Sequence, residues 1–372
     1  MTLQKNAAAV GLFAGAMKFA AWLQDLPNRI TPPPMRLMQI GAAFWQSRAL
    51  YVAARLDVAT VLADRSMAAD ALAARVGAQP DAVYRLLRML AAMGIFKETA
   101  PRVFANNRLS APLRDDGPNS VRALILMHNS DEMSRPWFQQ LEAGVREGGV
   151  PFQRSHGAEL FDYMDHHPEF DALFSRAMDS VDALAGDAFA SDFDWARFER
   201  VIDVGGSKGG KSLAILKRHA YLKAVVVDRE QIIRDARQHW AEREPPALLA
   251  RLSFETGDLF ESVPAATSDK DIYLLSAVLH GFDDAGCIKA LRNLARACGS
   301  SGARIAVMEL VMADHGADIA GASFDMQMFM GTRGRERTLA EWSRLFDDGG
   351  LALEEVVNLR SFAKILVAQA KL

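Results

Sequence analysis

The feature that most constrains this chain is an alternation repeated through its second half. Short apolar runs, "RVIDV" (200–204), "KAVVVD" (223–228), "RLSFETGD" (251–258), "DIYLLSAVLH" (271–280) and "RIAVMEL" (304–310), are separated by stretches of helical spacing. Strands alternating with helices imply a mostly parallel sheet with helices on both faces, which is why the runs are apolar throughout. In such sheets ligands bind beyond the carboxyl ends of the strands. The polar residues of these runs fall there: Asp203, Asp228, Asp258, His280 and Glu309.

The stretch "VIDVGGSKGGKS" (201–212) has two readings. From Gly205 it fits the phosphate loop G-x-x-x-x-G-K-[ST], in which backbone N–H groups and a lysine wrap a polyanion. Asp203 would then add negative charge beside the phosphates. The strand that should hold magnesium would be the very next one, whereas it usually comes later. The other reading is a cofactor with a cationic end and a sugar diol, S-adenosylmethionine. Gly205, Gly206 and Gly209 let backbone come close to it, as only glycine can. Asp203 can face the sulfonium and ammonium end. Asp228, at the end of the second strand, can accept from both ribose hydroxyls, and Asp258 from the adenine amine. Three acidic strand ends in succession suit such a cation and suit a triphosphate badly. A nicotinamide site would share Asp228, but the G-x-G-x-x-G spacing is absent. The methyl donor is the favoured reading, and titration of ATP–Mg²⁺ against S-adenosylmethionine would decide.

The first half differs. Residues 1–35 read as a helical extension broken by "TPPPM" (31–35), and 36–190 as mainly helical. Within "AADALAARVGAQPDAVYRLLRMLAAMGIFKE" (68–98), Val83, Leu86, Leu87, Leu90 and Met93 follow helical spacing, and Gly94 stops the helix. With "IFKE" and "RVFANNRLS" as a hairpin, this is a winged-helix pattern. DNA binding is disfavoured: the would-be reading helix offers chiefly Arg85 and Arg88, and residues 41–130 carry 11 Lys/Arg against 7 Asp/Glu. A packing or dimerisation module is expected instead. The whole-chain charge of −3 gives no basic footprint for nucleic acid or an anionic membrane.

Two further readings bear on compartment. The run "AAAVGLFAGAMKFAAWL" (7–23) has the apolarity of a signal peptide, but Lys18 interrupts it and it is short for a spanning helix. A helix packing on its own or a partner subunit is expected, with no membrane partner. Cys287 and Cys298 lie on one predicted helix, about 16 Å apart along its axis, too far for a disulfide. A reducing cytoplasm follows, and no metal site is expected.

His280 ends the fourth run, facing the proposed cofactor. Glu309 ends the fifth, and Glu336 lies further on in "GRERTLAEW". A buried carboxylate beside an imidazole fixes its tautomer and steadies the imidazolium. Asp283 or Asp284 is expected to cap the helix burying Ile288, Leu291 and Leu294.

Together "VIDVGGSKG", "VVVD", "GDLFESVP", "YLLSAVLHGFDD", "VMELV" and "GRERTLAEW" stand in the order and spacing of the large O-methyltransferase family of plant caffeate-type enzymes and bacterial natural-product methyltransferases. "HGAELFDYMDHHPEFDALFSRAM" in the first half is similar to it too, and the resemblance runs from about residue 40 to the end. It implies a Rossmann-like class I methyltransferase domain over 191–372, preceded by a winged-helix-like dimerisation and pocket-forming region over 36–190. It also implies a homodimer through the N-terminal helices and a small aromatic or heteroaromatic hydroxyl substrate. By resemblance His280 is the general base, flanked by Glu309 and Glu336. Asp228 holds ribose, Asp258 and Leu259 contact adenine, and Arg229 and Ser276 join the cofactor site. Phe174, Met178 and the segment with Phe324, Gln327, Met328 and Gly331 form the acceptor wall.

There are departures. Ser207 stands where a third glycine is usual, Ser276 replaces a frequent lysine, Gly281 a frequent acid and Gly331 the usual asparagine. A catalytically silent cofactor-binding relative and an N- or C-methylating enzyme of the same fold stay open as alternatives.

Overall fold

The structure is a computed structural model and describes residues 2–117 and 119–371. The described residues fall into two compact units, one of residues 19–184 and one formed by the first 18 residues together with 185–372.

In the unit of residues 19–184, the helices Ala69–Val76 and Pro80–Ala92 are separated by Gly77 in the left-handed region (φ +65°), with Pro80 opening the second. Val83, Leu87 and Leu90 form its buried stripe. Strands β1 (Met67–Ala68), β2 (Lys97–Ala100) and β3 (Val103–Ala105) make a small antiparallel sheet in the order β1-β3-β2. This is the expected helix–turn–helix with its hairpin, plus a short third strand. Its core joins Leu62, Leu72, Leu87 and Phe104.

The other unit is an eight-stranded mixed sheet. Its strands are β4 (Arg200–Val204), β5 (Lys223–Asp228), β6 (Leu252–Thr256), β7 (Asp271–Ser276), β8 (Arg304–Met312), β9 (Arg337–Thr338), β10 (Leu351–Asn358) and β11 (Ala363–Ala370). Their order is β10-β11-β8-β7-β4-β5-β6, with short β9 pairing beside β8. All pairings from β6 to β8 are parallel, while β11 runs antiparallel to both its neighbours. The chain order reverses between β4 and β7, the switch point at which open sheets bind ligands. Apolar side chains cover both faces: Val201, Val226 and Leu274 on one, Ile202, Val225 and Leu275 on the other.

Three expectations need adjusting. The strand carrying "DIYLLSAVLH" stops at Ser276, and His280 sits in a 3₁₀ turn, Leu279–Gly281, beyond it. Glu309 lies inside β8, which continues to Met312. The first residues are not helical. Leu3 is buried on the sheet unit, its N–H donating to the Glu355 carboxylate at 2.9–3.0 Å, and Gln4 bridges Phe193. The helix Ala7–Ile30 follows.

Candidate active site

The turn after β4 runs Gly205–Gly209 and opens the helix Gly210–Arg218. Gly205 (φ +71°) and Gly209 (φ +81°) take conformations that favour glycine. What lies beneath them is equally restrictive. A Cβ at Gly205 would stand 2.9 Å from Val278, one at Gly206 2.6 Å from the Asp203 carboxyl carbon, one at Gly209 2.7 Å from Val226. The loop is thus pressed onto the sheet and onto the turn that leads to His280. Ser207 also lies in the left-handed region (φ +51°), and its N–H donates to Asp228 Oδ2 at 2.8 Å. Arg229 is exposed and offers its own N–H to Asp228 Oδ1 at 2.8 Å. The carboxylate of Asp228 is therefore held at the strand end with lone pairs to spare.

Asp203 is not at an open rim. It is 1 % exposed, and Ser212 Oγ donates to its Oδ2 at 2.7 Å. The GKS serine, which a phosphate loop would turn to a metal ion, here braces an acid under the loop. Asp258 is exposed two residues beyond β6, its Oδ1 accepting from Phe260 N–H at 2.8 Å, and Leu259 beside it is buried. Ser276 is half-buried at the tip of β7.

Across the switch point, His280 Nδ1 lies 2.8 Å from Glu336 Oε1 and 3.6 Å from Glu309 Oε2. The imidazole is 22 % exposed and both carboxylates are 1 % exposed. Glu309 Oε1 accepts the N–H groups of Val278 (3.0 Å), Leu279 (2.9 Å) and His280 (3.4 Å), so one carboxylate anchors the turn and faces its ring. Burial alone would depress the basicity of the imidazole. The charge of Glu309 and the hydrogen bond and charge of Glu336 override it and hold His280 at about 9. Burial and the nearby Glu336 charge push the Glu309 carboxyl upward. Both glutamates are buried.

Of the other residues singled out, Phe324 (44 % exposed), Gln327 and Met328 (half-buried) and Gly331 (buried) lie on the helix Ile319–Gly331 of the sheet unit. Phe174 and Met178, both half-buried, lie on Pro168–Ala185 in the other unit. Asp283 caps the helix Asp284–Cys298, accepting from Gly286 N–H. Cys287 and Cys298 are both free and buried on that helix.

Three residues escaped the sequence reading. Ser212 was legible only as part of a phosphate-loop match. Gly334 packs against the turn so closely that a Cβ there would fall 1.8 Å from the His280 carbonyl oxygen. Arg337, in a charged run that reads as surface, is fully buried beside that turn.

Residues 138–352 match the profile of the O-methyltransferase domain, and 38–114 that of the O-methyltransferase dimerisation domain. The chain is 33% identical to "Phenazine O-methyltransferase PhzM" of Lysobacter antibioticus over 92% of its own length and 98% of that protein's. It is 31% identical to "Phenazine-1-carboxylate N-methyltransferase" of Pseudomonas aeruginosa, covering 89% and 96% respectively. Among solved structures it resembles NcsB1, an O-methyltransferase from neocarzinostatin biosynthesis in complex with S-adenosylmethionine and 2-hydroxy-5-methyl naphthoic acid. There the TM-score is 0.75 at 30% identity, with 88% of this chain and 96% of that one covered. The glycine turn pressed to the sheet permits close approach of such a cofactor, and the carboxylates at the end of β5 and beyond β6 suit its sugar diol and amine. Pattern, fold and likeness converge: the chain belongs to the O-methyltransferase family, enzymes that depend on S-adenosylmethionine.

Proposed function

We propose that this chain methylates a hydroxyl of a small aromatic or heteroaromatic natural product, with His280 as general base. When bound, S-adenosylmethionine supplies an activated sulfonium methyl, so the chain's own task is placement and proton removal. Asp228 would hold the ribose hydroxyls, and Asp258 with Leu259 the adenine. Gly205, Gly206, Gly209, Arg229 and Ser276 would line the same site. Asp203 would add its negative charge from beneath the loop. Because Nδ1 of His280 is committed to Glu336, Nε2 is the ring nitrogen left to take the acceptor's proton. Glu309 and Glu336 would then steady the imidazolium. Phe324, Gln327, Met328 and Gly331 would contribute to the acceptor wall from the sheet unit.

The observation carrying this reading is the buried His280–Glu336–Glu309 cluster on a turn that abuts the glycine loop. A general base contributes about 10²–10⁴-fold. His280→Ala should retain donor binding by calorimetry and lose turnover by that order on a panel of phenolic, quinoid and phenazine hydroxyls. Unchanged turnover would remove His280 from the reaction.

N-methylation is a second reading, favoured by the N-methylating relative. A ring nitrogen with a free lone pair carries no proton to remove, so His280→Ala would spare such an acceptor. The same variant therefore separates the two chemistries.

A homodimer in the cytoplasm completes the proposal. Against the expectation of a run too short to span, the helix extends from Ala7 to Ile30 and is long and apolar enough to cross a membrane, with 6% of its most apolar window buried. Phe19, Trp22, Ile30, Phe44 and Trp45 are exposed on this helix and those following, a surface suited to a second copy. Sedimentation of the full chain would give twice the chain mass, and Trp22→Asp with Ile30→Asp would reduce it to one.

A further inference from the structure

The turn carrying His280 is gripped on both of its polar sides. Its N–H side rests on Glu309, as described. Its carbonyl side rests on Arg337, whose side chain is fully buried. Nη2 of Arg337 donates to Phe282 O at 2.8 Å and Nη1 to Leu279 O at 3.4 Å, so the guanidinium spans the two residues that bracket His280–Gly281. Asp284 Oδ1 accepts from Nε and Nη2 at 3.1 and 2.9 Å, and Arg335 O from Nη1 at 3.3 Å. The guanidinium carbon stands 5.4 Å from the Trp342 ring centroid. Cys287 Sγ donates to Leu279 O at 3.2 Å, and Gly334 closes on the His280 carbonyl.

A buried arginine is expensive unless its charge and N–H groups are all satisfied. Here its partners are a half-exposed helix-start carboxylate and the carbonyls of the very turn that presents the imidazole. An anion under the N–H groups and a cation under the carbonyls complement the local peptide dipoles, so neither end of the turn can lift without losing a charged partner.

We propose that Arg337 is a positioning residue, clamping the turn Leu279–Phe282 so that the His280 ring stays between Glu309 and Glu336. The inference rests on the reading of His280 as the base, and concerns what places it. Arg337 also bears on the ring's charge. Acting on His280 are Glu309 from β8 and Glu336 and Arg337 beside and in β9, while Asp284 at the helix start pairs with Arg335 and Arg337. Arg337 is the cation that opposes the carboxylates in this group. Its loss leaves the ring holding its proton to higher pH.

The test uses Arg337→Met, Arg337→Lys and Asp284→Asn in the full chain. Three quantities are read: kcat, donor affinity by calorimetry, and the His280 titration midpoint by NMR of labelled histidine, assigned with His280→Asn. A misplacement of about 1 Å can cost about 10²-fold. Arg337→Met should therefore lower kcat by about that factor, leave donor affinity unchanged and move the midpoint upward. Arg337→Lys should recover part of kcat, and Asp284→Asn should lose less than Arg337→Met. A folded Arg337→Met with kcat and midpoint of the parent overturns the proposal. So does a lower kcat with an unmoved midpoint, or a moved midpoint with full kcat. If Arg337→Met does not fold, Asp284→Asn decides, and parental kcat and midpoint there overturn it. Retained turnover in His280→Ala with a moved midpoint in Arg337→Met would instead sink the base assignment and leave the clamp standing.

Discussion

At the scale of single residues, the charge on His280 governs what can be measured. With its affinity for protons held at about 9 by Glu309 and Glu336 against the effect of burial, the ring is an imidazolium in the ligand-free enzyme near pH 7. A base must be neutral to act, so kcat/KM for a phenolic acceptor should rise about tenfold per pH unit and level near 9. Glu336→Gln removes one of the two anions, so the rise should shift to lower pH while the plateau falls. A profile flat from pH 6.5 to 9.5 in both forms would contradict this. Stability carries the matching sign. The folded-state value lies above the ordinary 6.5, so the contribution is fully present below about 6.5 and is lost as pH rises through about 9. Thermal scans should show the parent losing more Tm over that window than His280→Gln.

At the scale of elements, the glycine loop sets a balance that substitution can move either way. Ser207 pays for a left-handed backbone, about 1–2 kcal/mol for a residue with a Cβ, against about 0.5–1 kcal/mol of added chain entropy for glycine. Ser207→Gly should stabilise the protein by about 0.5–1 kcal/mol in urea denaturation and leave donor affinity intact. Gly209→Ala meets both the positive φ and Val226 at 2.7 Å. It should cost about 2–5 kcal/mol, the sum of backbone strain and overpacking, and weaken donor binding in the same preparation. Equal stabilities for the two variants would contradict the account.

The elements also show why some of the architecture could be read from the residues and some could not. Strands β4, β5, β7 and β8 are largely apolar on both faces with acids or a polar turn at or near their ends, so composition marks them, whereas β6 ("LSFET") exposes Ser253 and Glu255 and is marked by alternation. β9, β10 and β11 all escaped; in β10 the pairing with β11 shifts register between Leu353 and Glu355, a bulge that breaks the alternation by which an edge strand is recognised. His280 and its glutamates were legible because they stand at the polar breaks of apolar runs or in a distinctive charged run, although His280 proves to lie in a turn beyond β7 and Glu309 within β8. Arg337 and Gly334 were not, because their roles depend on a turn more than fifty residues earlier in the chain. Ser212 was visible but misleading, since the same GKS triplet serves a triphosphate or braces a buried aspartate.

At the scale of the molecule, the chain's beginning is tied to its end. Gln4 exchanges hydrogen bonds with the backbone of Asn358 at 2.8 and 2.9 Å, and Thr2 and Leu3 bind the Glu355 carboxylate. Asn6 joins Asp192, which is fully buried and accepts from the Arg360 guanidinium at 2.8–3.1 Å. Residues near positions 5, 192 and 360 are thus locked through one carboxylate. Burial would raise that acid, but the Arg360 hydrogen bonds, aided by Asn6, win and hold it below the ordinary carboxylate range. Removing one partner of a buried pair costs about 3–5 kcal/mol, and the part-exposed Arg360 places this pair at the lower end. Arg360→Ala should therefore cost about 3 kcal/mol in denaturant unfolding. A depressed folded-state value gives stability that is present above the ordinary value near 4 and is lost as pH falls through the folded one. The difference between Arg360→Ala and the parent should accordingly be largest near neutrality and shrink on acidification below pH 4. Deletion of residues 2–6 should reproduce part of the loss, because Asn6 is only one of the donors. An Arg360→Ala variant as stable as the parent at pH 7 would show that these termini are neighbours without being a lock.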